Sequence, residues 1–333
     1  MIERPGFEPS AERARSLDGR MRGRLAESLH YILDQAEGYL TYSRPAFDAF
    51  LQRLAHGPVS AQVFGAYCDL VLDIESERLD LAQQLVAEIL AAPNQPDGPH
   101  LIDFRDPAED AACDRYGRLV DTDPSMPFRL LPPPAAIAAA CRERIAAALA
   151  LLDAGFPALA AELRVIVREI VLAVGPDEPG AVVFDGASSF MLWGAIVLNA
   201  RTHKTTLEMA QALAHESGHN LLFGLCADGP LIENDDVERF ASPLRLDPRP
   251  MDGIVHATYV TARMHQTLHR LLGSGVLDTM QQEEARAGLA ENERAFASGI
   301  AIVDRHARFT PLGEAVMTGA RDHMAAFGRA GCA

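Results

Sequence analysis

The sequence predicts an α+β fold, mainly helical with a small sheet. Apolar residues recur at three- and four-residue spacings along most of the chain, three short β-rich runs stand together between 169 and 198, and the clearest helix signal follows them. Helices, then consecutive strands, then helices again favour α+β over alternating β and α units.

The elements follow in order. Leu25, Leu29, Ile32 and Leu33, then Val63, Tyr67, Leu70 and Val71, mark helices between Arg22 and about Ala92. From Pro93 to Pro134 the composition turns to Pro, Asp and Gly, which reads as a long irregular connection. Ala135 to Leu152 is an alanine-rich helix, with a further helix from Pro157 to Val167. The β-rich runs are Glu169 to Val174, Ala181 to Phe184 and Met191 to Leu198, bounded by Gly175-Pro176, Asp185-Gly186 and Asn199. Thr205-x-x-Glu208 is a capping-box start for a helix to Phe223, stopped by Gly224. Further helices are expected from about Gly253 to Leu272, Thr279 to Ala307 and Leu312 to Phe327. The expected division is a helical region with its irregular connection at 1–133 and a catalytic α+β region at 134–333.

Composition narrows the function. In 333 residues, 48% are hydrophobic and 23% charged, the balance of a globular chain, and the formal charge of −16 argues against nucleic acid as a partner. No apolar run reaches the ~18 residues a membrane span needs, because Arg142, Glu143 and Arg144 interrupt Ala135 to Ala154. Met1 to Pro5 lacks the apolar stretch of an export signal, so a cytoplasmic protein is expected. The five cysteines have no C-x-x-C spacing and read as free thiols. Lys204 is the single lysine among 30 basic residues, which leaves cationic recognition to arginine.

Inside the capped helix lies His215-Glu216-Ser217-Gly218-His219, an H-E-x-x-H motif. Positions i and i+4 differ by roughly 40° around a helix and ~6 Å along it, so both imidazoles project from one face and can grip one cation. Gly218 is about 1 kcal/mol less favourable in a helix than alanine, which points to a close approach by another segment. A third ligand must come from elsewhere. The downstream candidates are Glu233, Asp235, Asp236, Glu238, His256, His265 and His269. Six of the eleven histidines fall between His203 and His269, which favours a histidine. His256 opens the next helix, which could pack antiparallel beside the first; Glu233 and Glu238 stay open. His265 and His269 lie two to four turns beyond His256, too far along the helix to share a tight site with it.

Two chemistries compete. An H-E-x-x-H helix following an edge strand is the zincin signature, in which Zn(II) polarises a carbonyl and its water while Glu216 serves as general base of a metallopeptidase. The other is a non-haem Fe(II) oxygenase, whose three protein ligands leave positions for a 2-oxo acid and dioxygen. The segment Ser242 to Gly253 bears on the choice. Arg249 stands between Pro248 and Pro250, which hold it extended shortly before His256, and a guanidinium there suits the distal carboxylate of 2-oxoglutarate.

The H-E-x-x-H helix followed by Phe240-Ala241-Ser242-Pro243-Leu244-Arg245-x-Asp247-Pro248-Arg249-Pro250-x-x-Gly253-Ile254-Val255-His256-Ala257-x-Tyr259 resembles the HExxH-type peptide-modification proteins. These are Fe(II)- and 2-oxoglutarate-dependent peptide β-hydroxylases, often associated with natural product biosynthesis. Gly194 to Leu198 resembles the strand before their active helix. The resemblance covers roughly Ser188 to Met264, and Leu244 departs from it where the family carries tryptophan in a Pro-Trp-Arg stretch. It implies that His215, His219 and His256 hold iron and that Arg249 or Arg245 binds 2-oxoglutarate. It also implies an enzyme, a dioxygenase that hydroxylates Cβ of an amino-acid side chain in a peptide or amino-acid substrate, with presentation by a leader or carrier left open. Glu216 would then orient a ligand or water. The strand Met191 to Leu198 is a candidate edge for an extended peptide, with Ser188 and Ser189 at its entry or serving as turn formers.

Overall fold

The computed structural model describes residues 6–121, 128–178, 182, 184–241 and 248–328. The described chain is mainly helical with a small mixed sheet. In order it runs α1 (Ala11–Gln35), α2 (Arg44–His56), α3 (Ala61–Glu75), α4 (Leu79–Ala91), β1 (His100–Asp103), α5 (Ala111–Val120), α6 (Ala135–Gly155) and α7 (Pro157–Ile166). Then come β2 (Glu169–Ala173), β3 (Gly186–Ala187), β4 (Ala195–Asn199), α8 (Thr206–Leu225), α9 (Met251–Ser274), α10 (Thr279–His306) and α11 (Pro311–Gly328). No described helix is long and apolar enough to cross a membrane.

The chain divides into two compact units. A sheet unit comprises Glu12–Arg142 and Arg164–Thr202; a helical unit comprises Met1–Ala11, Glu143–Leu163 and His203–Ala333. This differs from a division at 133/134, because the sheet draws β1 from before that point and its other strands from after it.

In the sheet unit the strand order is β1-β2-β4-β3. β1, β2 and β4 run parallel, with Ile102 opposite Val171 and Val171 opposite Val197; β3 is antiparallel to β4. Every residue of β2 and β4 is buried, which is why both read as continuous apolar runs without alternation. Val171, Ala173, Ala195 and Val197 pack with Tyr116 and Leu119 of α5 and with Phe104. Glu169 and Asn199 are the polar exceptions: Asn199 Nδ2 donates to the Phe184 carbonyl at 2.8 Å, and Glu169 accepts from Ser60 Oγ at 2.6 Å, Gln95 Nε2 at 2.8 Å and Tyr116 OH at 2.5 Å.

Three expectations are corrected here. The strand before the H-E-x-x-H helix is β4, an inner strand and not an edge strand, since it pairs with β2 on one side and, through Val197 and Leu198, with β3 on the other. The docking edge on Met191 to Leu198 fails for the same reason, and Phe190–Leu192 is a turn of 3-10 helix. Ser189 forms that turn, its side chain accepting from Met191 N. The supposedly irregular stretch from Pro93 to Pro134 contains β1 and α5; the N-cap Asp110 accepts from the backbone of Ala112 and Cys113.

In the helical unit α9 is central and packs against α8, α10 and α11. Its neighbours come close because they present glycine. A Cβ on Gly218 of α8 would stand 3.0 Å from Val260 Cγ1, and one on Gly299 of α10 would meet the side chain of Thr258. Thr205 and Glu208 form the expected capping box at α8, and Asp278 with Gln281 forms another at α10. α9 ends at Gly275, whose φ of 77° suits a residue without Cβ. Arg263 of α9 is buried and paired with Glu162 of α7, and it also donates to the Phe7 carbonyl at 3.0 Å.

Candidate metal centre

α8 and α9 pack antiparallel, and their contacts form a ladder. His219 meets His256, Gly218 meets Val260, and His215 meets Met264. The α9 members are spaced by four, so they line one stripe of that helix. Four contacts then run in series. His215 Nδ1 lies 3.3 Å from Met264 Sδ, and His215 Nε2 lies 3.2 Å from His219 Nε2. His219 Nδ1 lies 3.4 Å from His256 Nδ1, and His256 Nε2 lies 3.6 Å from Asp252 Oδ1. Phe223 closes the group, with its ring centroid 5.5 Å from that of His256 and 6.4 Å from that of His219.

Burial holds all three imidazoles below the ordinary histidine range. His219 lies well below it, with His215 and His256 also opposing a positive charge there. For His215 the second influence is His203; for His256, Asp252 works in the opposite direction. Near neutrality the three rings are uncharged, the state that offers a nitrogen lone pair to a metal.

Counting protons tests whether these residues fit a cation. The series ends in a thioether and a carboxylate, both of which only accept. Three neutral imidazoles carry three protons for four contacts, so one contact sets acceptor against acceptor, and burial keeps His219 from taking a second proton. Where that contact is the Nε2 pair, a bound cation relieves it. Two nitrogens at about 2.0–2.1 Å from one ion stand roughly 2.9 to 3.4 Å apart for right-angled to tetrahedral ligands, and the Nε2 pair of His215 and His219 matches this at 3.2 Å. The Nε2 pair has the spacing of two ligands to one metal ion.

His256 enters differently from the expectation of three imidazoles converging on one ion. Its Nδ1 faces the opposite edge of His219 from the Nε2 pair, and among the described residues no three His, Cys, Asp or Glu side chains bring their donors to a common point. The arrangement is two plus one. Of the downstream candidates, His256 is still the one placed against the pair. Glu238 binds Arg308 at 3.0 Å and Asn234 at 3.2 Å, and Glu233, Asp235 and Asp236 are exposed. His265 and His269 belong to another cluster with His323.

Glu216 is buried, with Oε1 3.8 Å from His215 Nε2. Arg249 is half-buried just before α9, its backbone exchanging two 2.9 Å hydrogen bonds with Phe240. Arg245 and Leu244 lie outside the described residues, as does Cys332; the other four cysteines form no disulfide. The chain matches no family model, and no curated protein matches it in sequence. The family resemblance therefore rests on the residues themselves. Sequence reasoning missed Asp252, Met264 and Phe223. The four-residue spacing of Asp252, His256, Val260 and Met264 along α9 is the signal that marks the first two.

Proposed function

We propose that the protein is a non-haem Fe(II) and 2-oxoglutarate dependent oxygenase that hydroxylates Cβ of an amino-acid side chain in a peptide. The observation that carries this reading is the His215–His219 pair at metal-ligand spacing on the H-E-x-x-H helix, with His256 against it. His215 and His219 would hold the iron through Nε2, and His256 would complete the set by turning its ring away from His219 Nδ1. When bound, the iron lets dioxygen decarboxylate 2-oxoglutarate to succinate and carbon dioxide, delivering one oxygen atom into a substrate C–H bond.

The chain's own residues bind and orient. Pro248 and Pro250 fix the backbone around Arg249, and pairing with Phe240 holds it at the entry to α9, from where its guanidinium would meet the distal carboxylate of 2-oxoglutarate. Phe223 walls the imidazoles and excludes water from their buried side. Glu216, buried with Oε1 3.8 Å from His215 Nε2, would orient a water at the ion.

The test is anaerobic addition of Fe(II), then 2-oxoglutarate, reading a visible charge-transfer band, followed by succinate formation in air. Arg249→Gln should raise the KM for 2-oxoglutarate roughly thirtyfold, the equivalent of losing about 2 kcal/mol of charge-assisted hydrogen bonding. Absence of both band and succinate sinks the reading. The proximity of Glu216 to His215 Nε2 favours one alternative, a Zn(II) metallopeptidase with Glu216 as general base. Glu216→Gln separates the two: it leaves substantial activity in the oxygenase, whereas His215→Ala leaves none, and in a peptidase both are near null.

A further inference from the structure

We propose that Met264 is the positioning residue for His215: its thioether accepts the Nδ1 proton and so leaves Nε2 as the metal-binding nitrogen. The inference rests on the reading of His215 and His219 as metal ligands and adds what selects the nitrogen.

A neutral imidazole carries one proton, and its position is set by the hydrogen bond the ring makes. In water a neutral histidine side chain favours the proton on Nε2, the nitrogen that must be bare for the pair at 3.2 Å to share an ion. Something must reverse that preference. The His215 side chain is 34% exposed, so burial alone does not select the tautomer. Met264 Sδ stands 3.3 Å from Nδ1, and a thioether can accept but never donate. The contact is therefore satisfied in only one tautomer, with Nδ1 protonated and Nε2 bare.

Met264 is not itself a ligand to the ion between the Nε2 atoms, because Nδ1 and Nε2 lie on different edges of the ring. It reaches His215 as the last member of the stripe His256, Val260, Met264, and the close approach at Gly218 brings that stripe within range. α9 thus supplies an imidazole at one end of the ladder and an orienting acceptor at the other. A thioether is a weaker acceptor than the carboxylate or carbonyl that usually fills this role, so its loss should produce the smaller end of the usual effect.

The experiment uses the full chain with nitrogen-15 histidine, free of metal, and reads the tautomer of His215 from long-range proton–nitrogen spectra. Isothermal titration with Zn(II), a redox-silent probe, follows. The expected result is Nδ1–H in the unaltered protein, a shift towards Nε2–H in Met264→Leu, and Zn(II) affinity lowered roughly tenfold. Met264→Gln, whose amide oxygen can accept, should restore both. A proton on Nε2 in the unaltered protein, or a tautomer indifferent to leucine, overturns the proposal. If leucine prevents folding, restoration by glutamine is decisive, and its failure to hold Nδ1–H likewise overturns it. Failure of the unaltered chain to bind Zn(II) removes the metal reading, while the metal-free spectra still decide the tautomer.

Discussion

The helical unit contains two clusters of imidazoles, both built on α9, and they solve the same problem in opposite ways. In the first, His215, His219 and His256 stand nitrogen to nitrogen between two groups that only accept, and the series is one proton short. In the second, His265 Nε2 lies 3.6 Å from Glu293, and His265 Nδ1 lies 3.0 Å from His323 Nε2. There a proton on His265 Nε2 and another on His323 Nε2 satisfy both contacts with neutral rings. The remaining neighbours are ring faces: Phe327 is 4.0 Å from His269 and 5.0 Å from His323 between centroids, and Phe7 stacks on His323 at 5.1 Å. Proximity of histidines is common to both clusters; a proton deficit at ligand spacing belongs to the first. That deficit, more than the crowding, is what the proposal of a cation at the first cluster rests on.

The largest effect separates the clusters directly. His219→Ala should lower Zn(II) affinity by more than about a hundredfold, because it removes the ring common to both imidazole contacts. His323→Ala should leave one Zn(II) per chain at unchanged affinity and reduce stability by about 1–3 kcal/mol through lost packing. Titration calorimetry with denaturant unfolding checks both. Metal stoichiometry that follows His323 and ignores His219 would reverse the comparison.

How much of this was legible in the sequence depends on the range of the interaction responsible. The α8 start was readable because Thr205 and Glu208 cap it within one turn, and the i, i+4 imidazole pair follows from that helix alone. β1 and α5 were hidden in Pro- and Asp-rich sequence, because β1 exists through pairing with β2 some seventy residues later. The inner position of β4 was hidden likewise, since an apolar run looks the same beside one neighbour or two. His256 was reachable from spacing, but which of its nitrogens faces His219 is fixed by side-chain packing between helices. Met264 was invisible for a further reason: methionine on a helix ordinarily signals packing, and only the ring edge it touches gives it another role.

Acid should sharpen the contrast at intermediate magnitude. Burial pushes His323 from 6.5 down to about 3, with His265, His269, Arg270 and Arg263 adding to the depression. His265 and His269 are lowered by burial too, opposed at His265 by Glu293. A histidine whose folded pKa lies below its unfolded value binds fewer protons folded than unfolded. Its contribution is complete above about 6.5 and is lost as the pH falls towards about 3. Melting temperature should therefore fall with acidity across that window, and His323→Phe, which cannot titrate, should make the fall shallower. An identical slope in the variant would show that the second cluster carries no proton linkage.

The smallest effect probes the approach of α9 to the first cluster. Gly218→Ala gains about 1 kcal/mol of helix propensity, yet the new methyl would stand 3.0 Å from Val260 Cγ1. Whether the substitution stabilises depends on whether Val260 can move. A β-branched side chain in a helix has one strongly preferred rotamer, and Val260 is fully buried, so the contact is relieved only by separating the helices. Overpacking of this kind costs about 1–3 kcal/mol, so the net expectation is a loss of up to about 2 kcal/mol. Val260→Ala in the same chain removes the opposing methyl groups and should restore the gain, giving a favourable coupling in a double-mutant cycle. Since Val260 lies between His256 and Met264 on one stripe, the separation that Gly218→Ala forces should also loosen both contacts to α8. Zn(II) affinity should fall with it and return with Val260→Ala; affinity indifferent to both changes would detach helix packing from the geometry of the site.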